Sequence, residues 1–329
     1  MKRREFITLL GGAAAAGPLA ARAQQAGKLP TIGYLGAESP TLFADGLRGF
    51  HQGLSETGYI EAKNVAIEYR WAEGHYDRLP ALAFDLVRRQ VAVIATPAST
   101  TAAQAAKAAT TTIPIVFQIA TDPVAIGLVS SLARPGGNLT GITSLNVEVG
   151  SKLLELLHEV VPAATVVALL VNPTSRILTE SISKDVEAAA RILQPKLRML
   201  PASTEREIDD SFATAAERGI SALAIAPDVF FYSRSEQLAA LAVRYALPAI
   251  SPYHPFAVAG GLMSYGTNIR NLSRLVGIYT GRVLNGENPG DLPVQQTMKV
   301  ELTVNLKAAK ALGISIPLPL SGRADEVIE

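Results

Sequence analysis

Short apolar runs rich in β-branched residues alternate along this chain with longer stretches in which apolar residues recur every three or four positions. That alternation predicts parallel strands connected by helices, an α/β architecture. The strand-like runs of the first half are Thr31–Leu35, Val65–Tyr69, Val91–Ala95, Ile113–Phe117 and Leu139–Thr143. A second series follows at Val166–Val171, Lys196–Leu200, Ala222–Ala226, Ala249–Ser251 and Leu262–Tyr265. Between them, Phe43, Leu47, Phe50 and Leu54 share one helical face, as do Leu153, Leu156, Leu157 and Val160, and later Leu238, Leu241, Ala242 and Tyr245.

The two series correspond where their strands end. "IGYLGAES" pairs with "VALLVNPTS", "VAVIATPAS" with "ALAIAPDVF", and "IPIVFQIATDP" with "LPAISPYHP". Each is an apolar run that breaks at small, polar or proline residues. Open parallel sheets bind ligands beyond the carboxyl ends of their strands, where helix N-termini also present unpaired N–H groups. Two Rossmann-like lobes facing each other would gather these ends around one cleft. The expected division is residues 30–143 with 266–298 in one lobe and 144–265 with 299–329 in the other, joined by a three-strand hinge.

The strand ends carry a recognition set: Gly36, Glu38, Ser39, Ser99, Thr100, Thr121, Asp122 and Thr143 from the first half, and Asn172, Asp228, Phe230, Tyr253 and Tyr265 from the second. Hydroxyls and backbone N–H groups suit a carboxylate, a carboxylate suits an ammonium, and rings suit an apolar or aromatic body, so the set fits a zwitterion. Phe230 and Tyr253 are expected to face the cleft. Polar residues after strands also cap the following helix, the competing role for Ser39, Ser99, Asp122 and Thr174.

Composition narrows the classes. There is no cysteine, which excludes disulfides, thiolate metal sites and thiol nucleophiles, including the cysteine pair of a two-lobed racemase. The four histidines stand far apart and none falls in a metal-ligand spacing, so no metal is expected. No G-x-S-x-G elbow occurs. No G-x-G-x-x-G follows the first strand, and "GGNLTGIT" lacks a phosphate-binding lysine and precedes a strand, so no cofactor is expected. A net charge of +1 without a basic run offers nothing to nucleic acid. Hydrophobic residues make up 48% of the 329, enough for two cores.

The N-terminal "MKRREFITLLGGAAAAGPLAARAQQ" has a basic start, an apolar middle and the small-x-small Ala21-Arg22-Ala23, with Arg3-Arg4 fitting twin-arginine export. Residues 1–23 are expected to be a cleaved signal, since the apolar run falls short of the ~20 residues of a membrane anchor. The mature chain is expected in the periplasm.

The segments "KAATTTIPIVF" (Lys107–Phe117), "DPVAIGLVSSLARPGGNLTGIT" (Asp122–Thr143), "GGLMSYG" (Gly260–Gly266), "DLPVQQ" (Asp291–Gln296) and "ADEVIE" (Ala324–Glu329) together resemble the ABC-transporter substrate-binding proteins of the tryptophan and aromatic-amino-acid type. The resemblance implies the type I periplasmic-binding fold, capture of a small amino-acid-like or aromatic-acid solute between two lobes, and delivery to an ABC permease in the inner membrane. It implies a cleft role for Asp122 and also for Ser99, Thr100, Asn172 and Asp228. The loop "TPASTT" and the stretch "SPYHPF" depart from the family's usual composition. Two other classes compatible with export are a ligand sensor docking on a chemoreceptor or kinase, and an extracytoplasmic hydrolase. A LacI-like effector domain shares the fold, but an export signal stands where its DNA-binding helices would be.

Overall fold

The computed structural model describes residues 29–144, 149–297 and 299–329. The expected signal, residues 1–23, lies outside them. So do residues 145–148, on one of the expected crossings between lobes.

The first half lays down β1 (Thr31–Gly36), α1 (Ala44–Glu56), β2 (Ala66–Trp71), α2 (Leu79–Arg88), β3 (Val93–Thr96), α3 (Thr100–Ala109), β4 (Ile115–Ile119) and β5 (Leu139–Thr143). The second continues with α4 (Val149–Val160), β6 (Val166–Val171), α5 (Arg176–Leu193), β7 (Lys196–Pro201), α6 (Glu205–Glu217), β8 (Ala222–Ile225), α7 (Val229–Tyr232), α8 (Ser235–Arg244), β9 (Ala249–Ser251), α9 (His254–Val258) and β10 (Met263–Gly266). The chain then forms α10 (Ile269–Leu284), β11 (Gln295–Gln296), β12 (Glu301–Asn305), α11 (Leu306–Ala311), α12 (Leu318–Ser321) and β13 (Glu326–Ile328).

Two sheets result, in the orders β2-β1-β3-β4-β5-β11 and β7-β6-β8-β9-β10-β12-β13. Every strand pair is parallel except β10 with β12. The central strand β8, "ALAI", is buried along its whole length, which is why it reads as an unbroken apolar run. The edge strand β7, "KLRMLP", buries only Leu200 and keeps its charges in water. The helices bury the faces that their spacing predicts, with Leu153, Leu156, Leu157 and Val160 of α4 all buried.

After β10 the chain returns to the first sheet, where α10 packs along α1 and β11 pairs with β5. It then rejoins the second sheet through β12. All parallel strands of a sheet point the same way, so the loops after β1, β3 and β4 and those after β6, β8 and β9 meet between the sheets. Phe43 and Tyr232 are in edge-to-face contact there, with ring centroids 6.0 Å apart.

Candidate functional site

The loops enclose a cavity lined by Tyr76, Ala98, Ser99, Thr100 and Ala120 on one side and Ser175, Leu178, Pro227, Asp228, Val229 and Tyr253 on the other. Its free volume is about 20 Å³. That is room for about one water, against the ~300 Å³ or more of a typical small-molecule pocket.

Local chemistry places each side chain. Ala98 has a left-handed backbone, φ +56°, a conformation that costs a non-glycine residue about 1 kcal/mol, and it turns the chain from β3 into α3. Ser99 then caps α3, its Oγ accepting from Ala102 N at 3.1 Å. The hydroxyl of Thr100 is buried on the cavity wall and finds no partner among the described residues. The first N–H groups of α3 have no intrahelical acceptor, so this wall is a site rich in donors.

The opposite wall is acidic. Asp228 caps α7, and its Oδ1 accepts from Phe230 N at 2.9 Å, Asn172 Nδ2 at 3.2 Å and Tyr76 O–H at 2.8 Å. The last bond crosses between lobes. Burial pushes the Asp228 carboxyl up, and the three hydrogen bonds, with a further one from Ser175, pull it back. Burial also holds the Tyr76 phenol well above its usual range, helped by the neighbouring Asp228 and Glu38 carboxylates. Asn172 is itself fixed, its Oδ1 accepting from Thr174 N and Oγ1.

Of the residues read from the sequence, Ser99, Thr100, Asp228 and Tyr253 line the cavity, and Asn172 stands one hydrogen bond behind. The others lie elsewhere. Phe230, expected to face the cleft, is buried with the Arg234 guanidinium 4.0 Å above its ring. Glu38 is paired with Arg234. Ser39 holds a turn, its Oγ accepting from Leu42 N. Gly36 lies against Trp71, whose ring carbons would be 2.2 Å from an added Cβ. Thr143 donates to Thr121 O at 2.8 Å, and Thr121 keeps its own buried hydroxyl without a partner among the described residues. Tyr265 is half-buried against the core of the second sheet.

Asp122, too, lies away from the cavity lining. It is exposed, and its Oδ1 accepts from Val124 N at 2.8 Å and Ala125 N at 3.3 Å, closing the turn that Lys107 holds from behind through the carbonyls of Gly127 and Leu128. Both bonds that Asp122 accepts are the capping role that the sequence also allowed. Asp122→Ala is expected to cost about 1 kcal/mol of stability, as a lost cap does, while solute affinity stays within twofold. A paired melting and calorimetric titration checks both halves.

Tyr76 and Ser175 were not legible as site residues. Tyr76 sits in "AEGHYDR", the loop after β2, which has no counterpart among the paired strand ends. The one available signal is an aromatic residue in a glycine-containing loop that leaves a strand.

The fold is the type I periplasmic-binding arrangement of two sheets about a cleft. Residues 38–328 match the family of ABC transporter substrate binding proteins, and the chain belongs to that family. It is 28% identical, over 266 residues, to a tyrosine-binding protein of Clostridioides difficile (strain R20291), covering 80% of this chain and 75% of that one. Among solved structures, an ABC domain from Streptococcus pneumonia in complex with L-Trp is 24% identical, with a TM-score of 0.79 over 92% of this chain and 100% of the other. The ligand-free, open structure of a substrate binding protein with adhesive properties from Clostridium difficile is 25% identical, with a TM-score of 0.61 over 91% and 99%. Among the described residues no helix is long and apolar enough to cross a membrane.

Proposed function

We propose that this protein is the extracytoplasmic solute-binding component of an ABC importer, and that it captures an aromatic amino acid or a close analogue by closure of its lobes. The observation that carries this reading is the polarity of the cavity. A carboxylate, Asp228, faces the donor-rich N-terminus of α3 with Ser99 and Thr100, and the Tyr76 and Tyr253 rings stand between them. An α-ammonium fits the first wall, an α-carboxylate the second, and an aromatic body the rings.

Capture requires opening. The cavity is too small for a tyrosine, but the phenol that occupies Asp228 comes from the opposite lobe. Parting the lobes withdraws Tyr76 and exposes the carboxylate to an incoming ammonium. The three strands of chain that pass between the sheets, after Thr143, near Gly266 and near Val300, would bend as the hinge. Contacts from both lobes exist only in the closed form, and that differential affinity drives closure. Two solved structures of nearly equal identity, one with L-Trp bound and one ligand-free and open, differ in their likeness to this chain. The likeness is much greater to the tryptophan complex than to the open structure, which supports a closed arrangement here.

The tyrosine-binding relative points to the same solute class, and the N-terminal export pattern to a protein outside the cytoplasm. The partner would be an inner-membrane permease, and the solute leaves unchanged, held by hydrogen bonds rather than attacked. A thermal-shift and calorimetric series is the test. L-tyrosine, L-tryptophan and L-phenylalanine are expected to raise the melting temperature, as a tight ligand must, by RT ln(1 + [L]/Kd) of added stability. Their deaminated acids should bind at least tenfold more weakly, because they leave Asp228 without its charged partner. Equal binding of both series would remove the zwitterion from the site.

A further inference from the structure

Glu38, in the loop after β1, and Arg234, between α7 and α8, meet across the lobes. The guanidinium Nη1 donates to Glu38 Oε2 at 2.8 Å, with the Glu38 side chain 1% exposed and the Arg234 side chain 10%. Contacts within its own lobe hold Arg234 in place: Nη1 also donates to Phe230 O at 3.2 Å, the Phe230 ring lies beneath, and Glu205 Oε1 is 3.4 Å from Nε. Glu38 depends on the other lobe, for its second oxygen is buried and finds no partner among the described residues. Neither residue lines the solute cavity. The ion pair joins the two lobes and exists only while they are together.

We infer that Glu38 and Arg234 are positioning residues that latch the closed lobes from outside the solute site and so set how long a captured solute stays. The inference rests on the reading of lobes that open and close. Both charges regain water on opening, so the latch is the difference between attraction and lost hydration. Removing one partner forfeits the attraction and leaves the other charge buried. Glu38→Gln gives up the charge but keeps an oxygen that can accept from the guanidinium, as the protonated carboxyl does.

Proton uptake gives the latch a signature. Burial pushes the Glu38 carboxyl up to about 7, the Arg234 charge and hydrogen bond oppose the rise, and the Asp228 and Glu205 carboxylates add to it. From its own lobe the buried Tyr76 phenol also faces this cluster. In open lobes Glu38 returns to the ordinary carboxylate range, near 4.3. The closed form thus binds the extra proton. Closure is favoured most below that range and weakens as pH rises through about 7.

The test follows dissociation of L-tyrosine and L-tryptophan, which keep one charge state between pH 5 and 8, by stopped flow. Glu38→Ala and Arg234→Met are expected to raise the dissociation rate roughly tenfold or more while the association rate changes by less than about threefold. Glu38→Gln should recover most of the loss and abolish the pH dependence. Wild-type dissociation rates in Glu38→Ala, or a wild-type pH slope in Glu38→Gln, would overturn the latch. Should the wild-type protein bind neither amino acid, the solute assignment falls and the latch is read without it. The chain has no cysteine, so spin labels at Asp77→Cys and Arg206→Cys report the lobe separation directly. Longer distances on adding Glu38→Ala support the latch, and a distribution that overlays the unlatched and parent proteins overturns it.

Discussion

Asp228→Asn is expected to weaken capture of an aromatic amino acid by about 10- to 100-fold, the 1.5–3 kcal/mol of a hydrogen bond to a charged group, while leaving the protein folded. The substitution keeps an Oδ1 that can accept from Phe230 N, Asn172 Nδ2 and Tyr76 O–H, so the network that positions the wall survives. What disappears is the negative charge. Because burial already penalises that charge, the melting temperature should hold or rise slightly. Asp228→Ala differs: it strands the buried donors of Phe230, Asn172, Tyr76 and Ser175 at about 1–3 kcal/mol each and should destabilise the second lobe outright. Calorimetry with L-tyrosine and with its deaminated acid separates the two effects. The amino acid alone should lose affinity in Asp228→Asn, and an equal loss for both ligands would show that Asp228 shapes the wall without meeting an ammonium.

Asp228 also shows where reading a sequence stops. Asp122 in "ATDPV" and Asp228 in "APDVF" look alike, each following an apolar strand and each able to cap. Tertiary placement separates them. One faces water and closes its own turn, while the other is buried between lobes beside Tyr76. The strands themselves were legible because central parallel strands are buried on both faces: Leu139–Thr143, Val166–Val171 and Ala249–Ser251 begin and end as the apolar runs do. β11, two glutamines, and β13, "EVI" at a sheet edge, carry no apolar period and left no such trace. Ser99 and Thr100 were legible since a polar pair after a strand and before a helix is a local pattern. Glu38 and Arg234 lie 196 residues apart and belong to no shared pattern, so only the meeting of the lobes reveals them as partners.

Gly53→Ala is expected to destabilise the first lobe by about 2 kcal/mol or more, although alanine is the better helix former by about 1 kcal/mol. In α1, "ADGLRGFHQGLSE", glycines at 49 and 53 face α10 so closely that the two backbones touch. A Cβ on Gly53 would sit 1.9 Å from Arg274 O and 2.9 Å from Ile278 N, and Gly277 meets Phe50 O in the same way from the other side. These neighbours are main chain, so no rotamer change relieves the clash and the helices must separate. Separation would also stretch the bidentate Arg274–Glu56 pair at 2.6 and 2.7 Å and the Tyr59–Asn285 bond at 3.0 Å. Since α10 is the segment returning from the second lobe, this seam fixes where the crossing chain re-enters the first. A fall in melting temperature of about 5 °C or more is expected for Gly53→Ala, against almost none for the exposed neighbour Gln52→Ala. Equal melting of the two variants would mean that the helices can move apart at no cost, and the seam could not then anchor the hinge.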